Sequence, residues 1–152
     1  MNLWNRIVWI TAAAGLIDSI YLTILKISND KSLCIQGIGD CWSVNTSIYS
    51  EIFGIPIAVL GAGAYLLVLL ILWGEHRSSF LQQNSDLFLF GITLIGVIYS
   101  AYLTYLEIAV IKAICPFCVV SAVAMLILFI YAVKRLIEPS GEESYSSGGS
   151  NA

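Results

Sequence analysis

Residues 52–74 read IFGIPIAVLGAGAYLLVLLILWG and contain no charged side chain. A helix needs about 20 apolar residues to cross the roughly 30 Å hydrocarbon core of a bilayer. Two more stretches meet that length without a charge, Leu87–Leu106 and Ala113–Val133. A fourth, Ile7–Leu25, is interrupted only by Asp18. Lipid offers no partner to an open backbone group, so such segments are helices or closed barrels. No alternation of period two favours a barrel, so four helices are expected. Arg6 and Ala12–Ala14 imitate a cleavable leader, but the apolar run ahead of the alanines is too short for one.

The composition of the whole chain agrees. Of 152 residues, 59% are hydrophobic and 11% charged, against about 25% charged in soluble domains. The mean hydropathy is +0.87. A soluble domain of this length could not bury so much apolar surface. A net charge of −3 leaves no basic footprint for nucleic acid. The expected fold is an all-α membrane protein, a bundle of four transmembrane helices over about 7–26, 52–74, 87–108 and 113–134, within a membrane domain of residues 1–137. Residues 138–152 (EPSGEESYSSGGSNA) read as a disordered polar tail. The lipid bilayer is thus one partner.

Four spans put both termini on one side, with loop 27–51 and the link 107–114 on the other. Arg6, Arg77, Lys134 and Arg135 lie on the terminal side and Lys26, Lys31 and Lys112 on the loop side. That bias points the termini to the cytoplasm. His76, in the hydrophilic turn 75–86, reads as a solvated loop residue.

The sequence also repeats itself at an offset of 81. Gly15–Ile27 (GLIDSIYLTILKI) overlies Gly96–Ile108 (GVIYSAYLTYLEI) with eight of thirteen identities, and the register carries Cys34 onto Cys115. Gly15, Ser19 and Thr23, with Gly96, Ser100 and Thr104, recur every fourth residue, a spacing that lets helices approach closely in lipid. Tyr21 and Tyr102 fall on another face, where an interfacial aromatic belt is expected. Asp18 is the one charge deep in a span. Leaving it ionised there costs about 2.5–3.5 kcal/mol, so it is either a proton donor or a polar contact between helices.

All four cysteines fall on the loop side. Cys34 and Cys41 lie in the long loop, and Cys115-Pro116-Phe117-Cys118 opens the fourth span. Unpaired N–H groups and the helix dipole stabilise a thiolate at a helix start, and Pro116 suits a first turn. The pattern predicts disulfide exchange between a soluble partner, the loop pair and the helix-mouth pair. Disulfides persist in extracytoplasmic compartments, which puts this side outside. Three other uses fit four thiols: a structural Cys34–Cys41 staple, a Cys₄ zinc site, or inert buried sulfurs. The exchange reading requires no metal.

The stretches Asp18-Ser-Ile-Tyr-Leu-Thr, Cys41-Trp-Ser-Val-Asn-Thr-Ser47, Ile52-Phe-Gly-Ile-Pro56 and Cys115-Pro-Phe-Cys118 followed by Ser121-Ala122 resemble the vitamin K epoxide reductase family of the short prokaryotic type, over about residues 7–134. The bacterial disulfide-generating quinone reductase also has four spans and four cysteines, but its C-x-x-C comes first. The resemblance implies a multi-pass cell-membrane enzyme that oxidises a thioredoxin-like or DsbA-like protein and reduces a membrane quinone of menaquinone or ubiquinone type. It implies that Cys118 meets the quinone, paired with Cys115, and that Cys34 and Cys41 shuttle electrons, Cys34 being attacked by the partner. It implies a quinone pocket touched by Ser47, Ser50, Glu51, Phe53 and Phe117, with Trp42 and Tyr49 as further apolar wall. An asparagine before the I-F-G stretch and a tyrosine four residues after the last cysteine, which bind quinone in animal relatives, are replaced by Ser50 (or Glu51) and Ala122. Plain quinone reduction is therefore implied rather than epoxide reduction. Relatives often carry a fused thioredoxin-like domain. The polar end of this chain implies a separate partner polypeptide.

Overall fold

The computed structural model describes residues 3–34, 37, 39–75 and 77–138. Its elements are α1 (Leu3–Ser28), a short α2 (Cys41–Asn45), β1 (Glu51–Ile52), β2 (Ile55–Pro56), α3 (Ile57–Gly74), α4 (Ser79–Leu106), a π-helical turn (Glu107–Ile111) and α5 (Pro116–Ile137). Among the described residues, α1, α3, α4 with its π turn, and α5 are long and apolar enough to cross a membrane. They form a ring in which α1 packs on α3 and α5, and α4 packs on α3 and α5. The core between them holds Val8, Ala12, Val68, Leu89, Met125 and Leu128. Ile10, Ile17, Leu70, Ile98, Val123 and Ile130 point outward, as lipid-facing residues do.

The helix ends differ from the hydropathy limits. The second helix begins at Ile57, not Ile52, because residues 51–56 form a minimal hairpin pairing Glu51 with Pro56 and Ile52 with Ile55. Both turn residues, Phe53 (φ 53°) and Gly54 (φ 80°), are left-handed, the requirement of a two-residue hairpin turn. The fourth helix begins at Pro116 rather than Ala113. The third begins at Ser79, well before Leu87. Residues 79–86, hydrophilic enough to read as a turn, continue the helix because Ser85 and Asp86 find a partner in Arg135 inside the bundle. Arg135 of α5 bonds Asp86 at 2.7 Å and Glu75 at 2.7 Å, and Ser85 is fully buried. His76 and residues 139–152 lie outside the described residues, and with them the solvated position expected of His76 and all of the tail except Glu138.

Arg135 joins the end of α5 to the end of α3 and the start of α4. Beside it, the Tyr131 hydroxyl donates to Asn5 Oδ1 at 2.7 Å, which brings the start of α1 to the same end. The small-residue repeat serves two purposes. Gly15 lies against the Tyr65 ring so closely that a Cβ would overlap it, and Ser19 packs on Gly61. Tyr65 in turn donates to the Ser121 carbonyl of α5 at 2.8 Å. On α4 the matching Gly96 packs on Met125, while Ser100 and Thr104 face a cavity inside the ring.

Removing the Arg135 side chain leaves two mostly buried carboxylates without their cation, a loss of about 3–5 kcal/mol for a buried pair. Arg135→Leu is therefore expected to lower resistance to denaturant sharply. Gly15→Leu is expected to cost about 1–3 kcal/mol by overpacking against Tyr65. Unfolding in graded denaturing detergent, followed by circular dichroism, checks both. An unfolding midpoint unchanged from the parent in either variant contradicts the corresponding contact.

Candidate functional site

The cysteine segments are joined by the backbone. Asp40 N–H donates to the Ile114 carbonyl at 3.0 Å. This approach depends on Gly39, whose φ is +77° and whose Cβ, if present, would collide with the Ile114 carbonyl and meet Pro116 Cδ. Asp40 also caps α2, accepting from the Ser43 N–H at 3.1 Å and the Ser43 hydroxyl at 2.6 Å, so Cys41 stands at the first position of that short helix. Cys115 is the residue immediately before α5, with Pro116 in the first turn. Lys26 fixes the other end of the loop: its ammonium reaches the Asn45 carbonyl at 2.8 Å, Ser50 Oγ at 2.7 Å and Glu51 Oε1 at 3.0 Å.

The four sulfurs are coupled neighbour to neighbour. Cys41 is hydrogen-bonded to Cys34 on one side and to Cys115 on the other, and Cys115 is hydrogen-bonded to Cys118. All four are free thiols. Cys34, Cys41 and Cys115 are buried together with Leu22, Leu25 and Val44, and Cys118 packs against that cluster. Among the described residues no three His, Cys, Asp or Glu side chains converge where a metal ion would sit.

The series is electrically graded. The Cys118 thiol donates to Cys115 and holds its thiol below the usual range; the Cys118 backbone N–H and the Cys41 thiol act the same way, against burial. Cys41 is pushed well above the usual range, first by burial and then by its hydrogen bond with Cys34 and the charge on Cys115. In the reduced protein Cys115 is therefore the more readily ionised thiol and Cys41 the more reluctant one.

Cys118 also opens on a cavity of about 650 Å³, within the 300–1,000 Å³ typical of small-molecule sites. Its walls are mostly apolar, from α3 and α4, with Ser19 and Leu22 of α1, Ser121 and Met125 of α5, and the loop residues Val44, Asn45 and Ile52. Ser47, Tyr49 and Ser50 line it. The Ser47 hydroxyl donates to the Val44 carbonyl at 2.8 Å, and Ser50 Oγ lies 2.7 Å from both the Asn45 and Ser47 carbonyls. Their protons are thus already engaged by the loop.

Four expected contacts do not line the cavity. Phe53 is fully exposed (102%) because the left-handed hairpin turn throws its ring outward. Glu51 turns to Lys26. Phe117 stacks on Tyr21, with ring centroids 5.0 Å apart, and Trp42 packs against the cysteines instead. Asp18 precedes Ser19 on α1, and its Oδ2 is buried with no hydrogen-bond partner among the described residues. Asp18 is not among the residues that line the cavity.

Another acid is there. Glu107, 4% exposed, lines the cavity, accepts the Cys115 N–H at 3.2 Å and is hydrogen-bonded to the Cys118 thiol. The sequence held a sign of it: at the offset of 81, Glu107 overlies Lys26, so each copy of the repeat ends in a charge that ties down its own cysteine segment.

The profile of the vitamin K epoxide reductase family matches residues 6–133. The chain is also similar to the thiol-disulfide oxidoreductase LTO1 of Arabidopsis thaliana, with 35% identity over 124 residues, which is 78% of this chain and 33% of the plant protein. It thus spans about a third of that relative's length.

Two measurements check the sulfur couplings. Cys34→Ser combined with Cys118→Ser should accumulate a Cys41–Cys115 disulfide on mild oxidation, seen by mass spectrometry, and adding Gly39→Ala should reduce its yield. Thiolate absorbance should show Cys115 ionising below the ordinary thiol value of about 8.5. Cys118→Ala removes the donor and should move that ionisation to higher pH, whereas Cys118→Ser, still a donor, should move it less. No bridge in the double variant, or an unmoved titration in the alanine variant, contradicts the arrangement.

Proposed function

This chain belongs to the vitamin K epoxide reductase family, and we propose that it works as a membrane thiol–disulfide oxidoreductase that draws two electrons from a dithiol protein and delivers them to a lipid-soluble quinone. The observation that carries this reading is the unbroken order Cys34, Cys41, Cys115, Cys118 ending at an apolar cavity. Exchange between sulfurs needs a thiolate in line with the next sulfur. A zinc knuckle would instead gather the four around one point.

In the proposed cycle, a thiolate of a thioredoxin-like or DsbA-like protein attacks the Cys34–Cys41 disulfide at Cys34. The partner leaves oxidised, and the loop pair is left as two thiols. Cys41 then attacks Cys115 of the oxidised Cys115–Cys118 pair, and Cys34 resolves the bridge by attacking Cys41. The reduced helix-mouth pair passes its two electrons to a quinone in the cavity, with Cys118 at the ring and Cys115 closing the disulfide. The lowered Cys115 thiol suits that closing attack. A quinone headgroup matches an apolar cavity with few polar groups. The cysteine end is proposed to face the extracytoplasmic side, where disulfides persist, with the termini in the cytoplasm.

Quinone reduction by the purified protein in nanodiscs, followed by ultraviolet absorbance with a reduced thioredoxin-like protein as donor, is the test. Cys118→Ser should abolish turnover. Cys34→Ser should abolish oxidation of the protein donor yet still allow one turnover of quinone when the helix-mouth pair has been reduced beforehand with dithiothreitol. Undiminished turnover in Cys118→Ser would overturn the mechanism.

A further inference from the structure

We infer that Glu107 is the proton carrier of the thiol–quinone step, taking the proton from Cys118 and delivering it into the cavity. The inference rests on the quinone reading above and adds a residue that the cysteine chemistry alone does not identify.

Three independent features single out this side chain. It is a buried acid without a cation: among the described residues Lys26 goes to Glu51, Arg135 to Glu75 and Asp86, and Lys134 to Glu138. A buried carboxylate is costly unless it is paired or hydrogen-bonded, so its retention at the mouth of the bundle calls for a use. It touches both members of the redox pair, accepting the Cys115 N–H and sharing a hydrogen bond with the Cys118 thiol, and it reaches the cavity. It also begins the π turn, where the Ala113 N–H reaches back to the Glu107 carbonyl at 3.0 Å and Lys112 ends the turn in a left-handed conformation. Such π segments interrupt α-helices frequently at functional sites. Here the wider turn lets the chain leave α4 while Glu107 still points at the start of α5.

The balance of the step is simple. Oxidation of the Cys115–Cys118 dithiol breaks two S–H bonds and forms one S–S bond. Two electrons and two protons pass to the quinone, which becomes a hydroquinone. The Glu107 carboxylate accepts the Cys118 proton as that sulfur becomes nucleophilic, and hands it to a quinone oxygen. The carboxylate, free again, carries the proton shed by Cys115 to the second oxygen. The ionisable groups acting on Glu107 are Cys115 and Cys118 at the start of α5, with Cys41 of α2 behind Cys115. Tyr65 of α3 and Tyr99 of α4 stand elsewhere on the cavity wall, and Lys112 at the end of the π turn is exposed.

The test is single-turnover reduction of a short-chain quinone by the pre-reduced protein in nanodiscs, across pH 6–9, for the parent, Glu107→Gln and Glu107→Asp. Positioned acid–base groups contribute about 10²–10⁴-fold, so Glu107→Gln should lose at least about 100-fold near neutral pH. Its rate should then climb about tenfold per pH unit as Cys118 ionises unaided, narrowing the gap to the parent. Glu107→Asp should fall between the two. Electron passage from the loop pair to an oxidised Cys115–Cys118 pair, measured by thiol trapping without quinone, reads how far each variant disturbs the cysteine segment itself. Parent-like rate and pH profile in Glu107→Gln overturn the inference while leaving the quinone reading intact. A uniform loss at every pH, with thiol exchange slowed as well, also overturns it, since that marks a purely structural role. Should Glu107→Gln not reach the membrane, the aspartate variant decides: a parent-like profile there, with the side chain shortened by a methylene, counts against the carrier. A parent protein that reduces no quinone overturns the functional reading itself.

Discussion

The hydrogen bond from the Asp40 N–H to the Ile114 carbonyl joins two parts of the chain that the membrane would otherwise leave independent. A bundle of apolar helices gives its outer loops no reason to meet, because lipid drives the helices into the bilayer and leaves the loops in water. Gly39 resolves this by having no Cβ where the Ile114 backbone passes. From that contact the rest of the site follows. Cys41 is delivered at the head of α2, Cys115 at the foot of α5, and the sulfurs become neighbours between them. Lys26 secures the far side of the loop, so that both ends of α2 are held while Cys34 approaches from the 3₁₀ turn at Lys31–Leu33.

The two ends of the bundle are stabilised by different physics. At the end away from the cysteines, Arg135 with Glu75 and Asp86, and Tyr131 with Asn5, close the ring by charge and hydrogen bond. At the cysteine end the ring gives way to the cavity, and the polar groups there are few and local. The small residues of the repeat show the same division. Gly15 and Ser19 draw α1 onto α3 and Gly96 meets Met125 of α5, whereas Ser19, Ser100 and Thr104 also border the cavity. Each copy of the motif thus closes a helix seam with its glycine and turns hydroxyls toward the open space.

Much of this was legible in the residues. Charge-free runs long enough for a bilayer identified four spans, and parity of crossing alone put every cysteine at one end. The helix limits were less visible. Hydropathy stops at Leu87 because Gln82, Asn84 and Asp86 look like loop, yet α4 starts at Ser79, since Arg135, distant in sequence, neutralises Asp86. Phe53 reads as a pocket aromatic, but its direction is decided by two left-handed turn residues that composition does not reveal. Asp18 drew attention as the acid deep in a span, whereas Glu107 sits near a helix end, where a charge is ordinary. Its position relative to Cys115 depends on a π turn, and no hydrophobic period foretells one. The overlay of Glu107 on Lys26 was the available clue.

Cys34, Cys41 and Cys115 are 8%, 2% and 0% exposed. Sulfur exchange demands contact, so reagents in bulk water reach these three sulfurs only slowly. Such insulation guards against short circuits: in the proposed cycle current enters at Cys34 and leaves where Cys118 meets the greasy interior. Selectivity of this kind comes from concealment rather than from affinity.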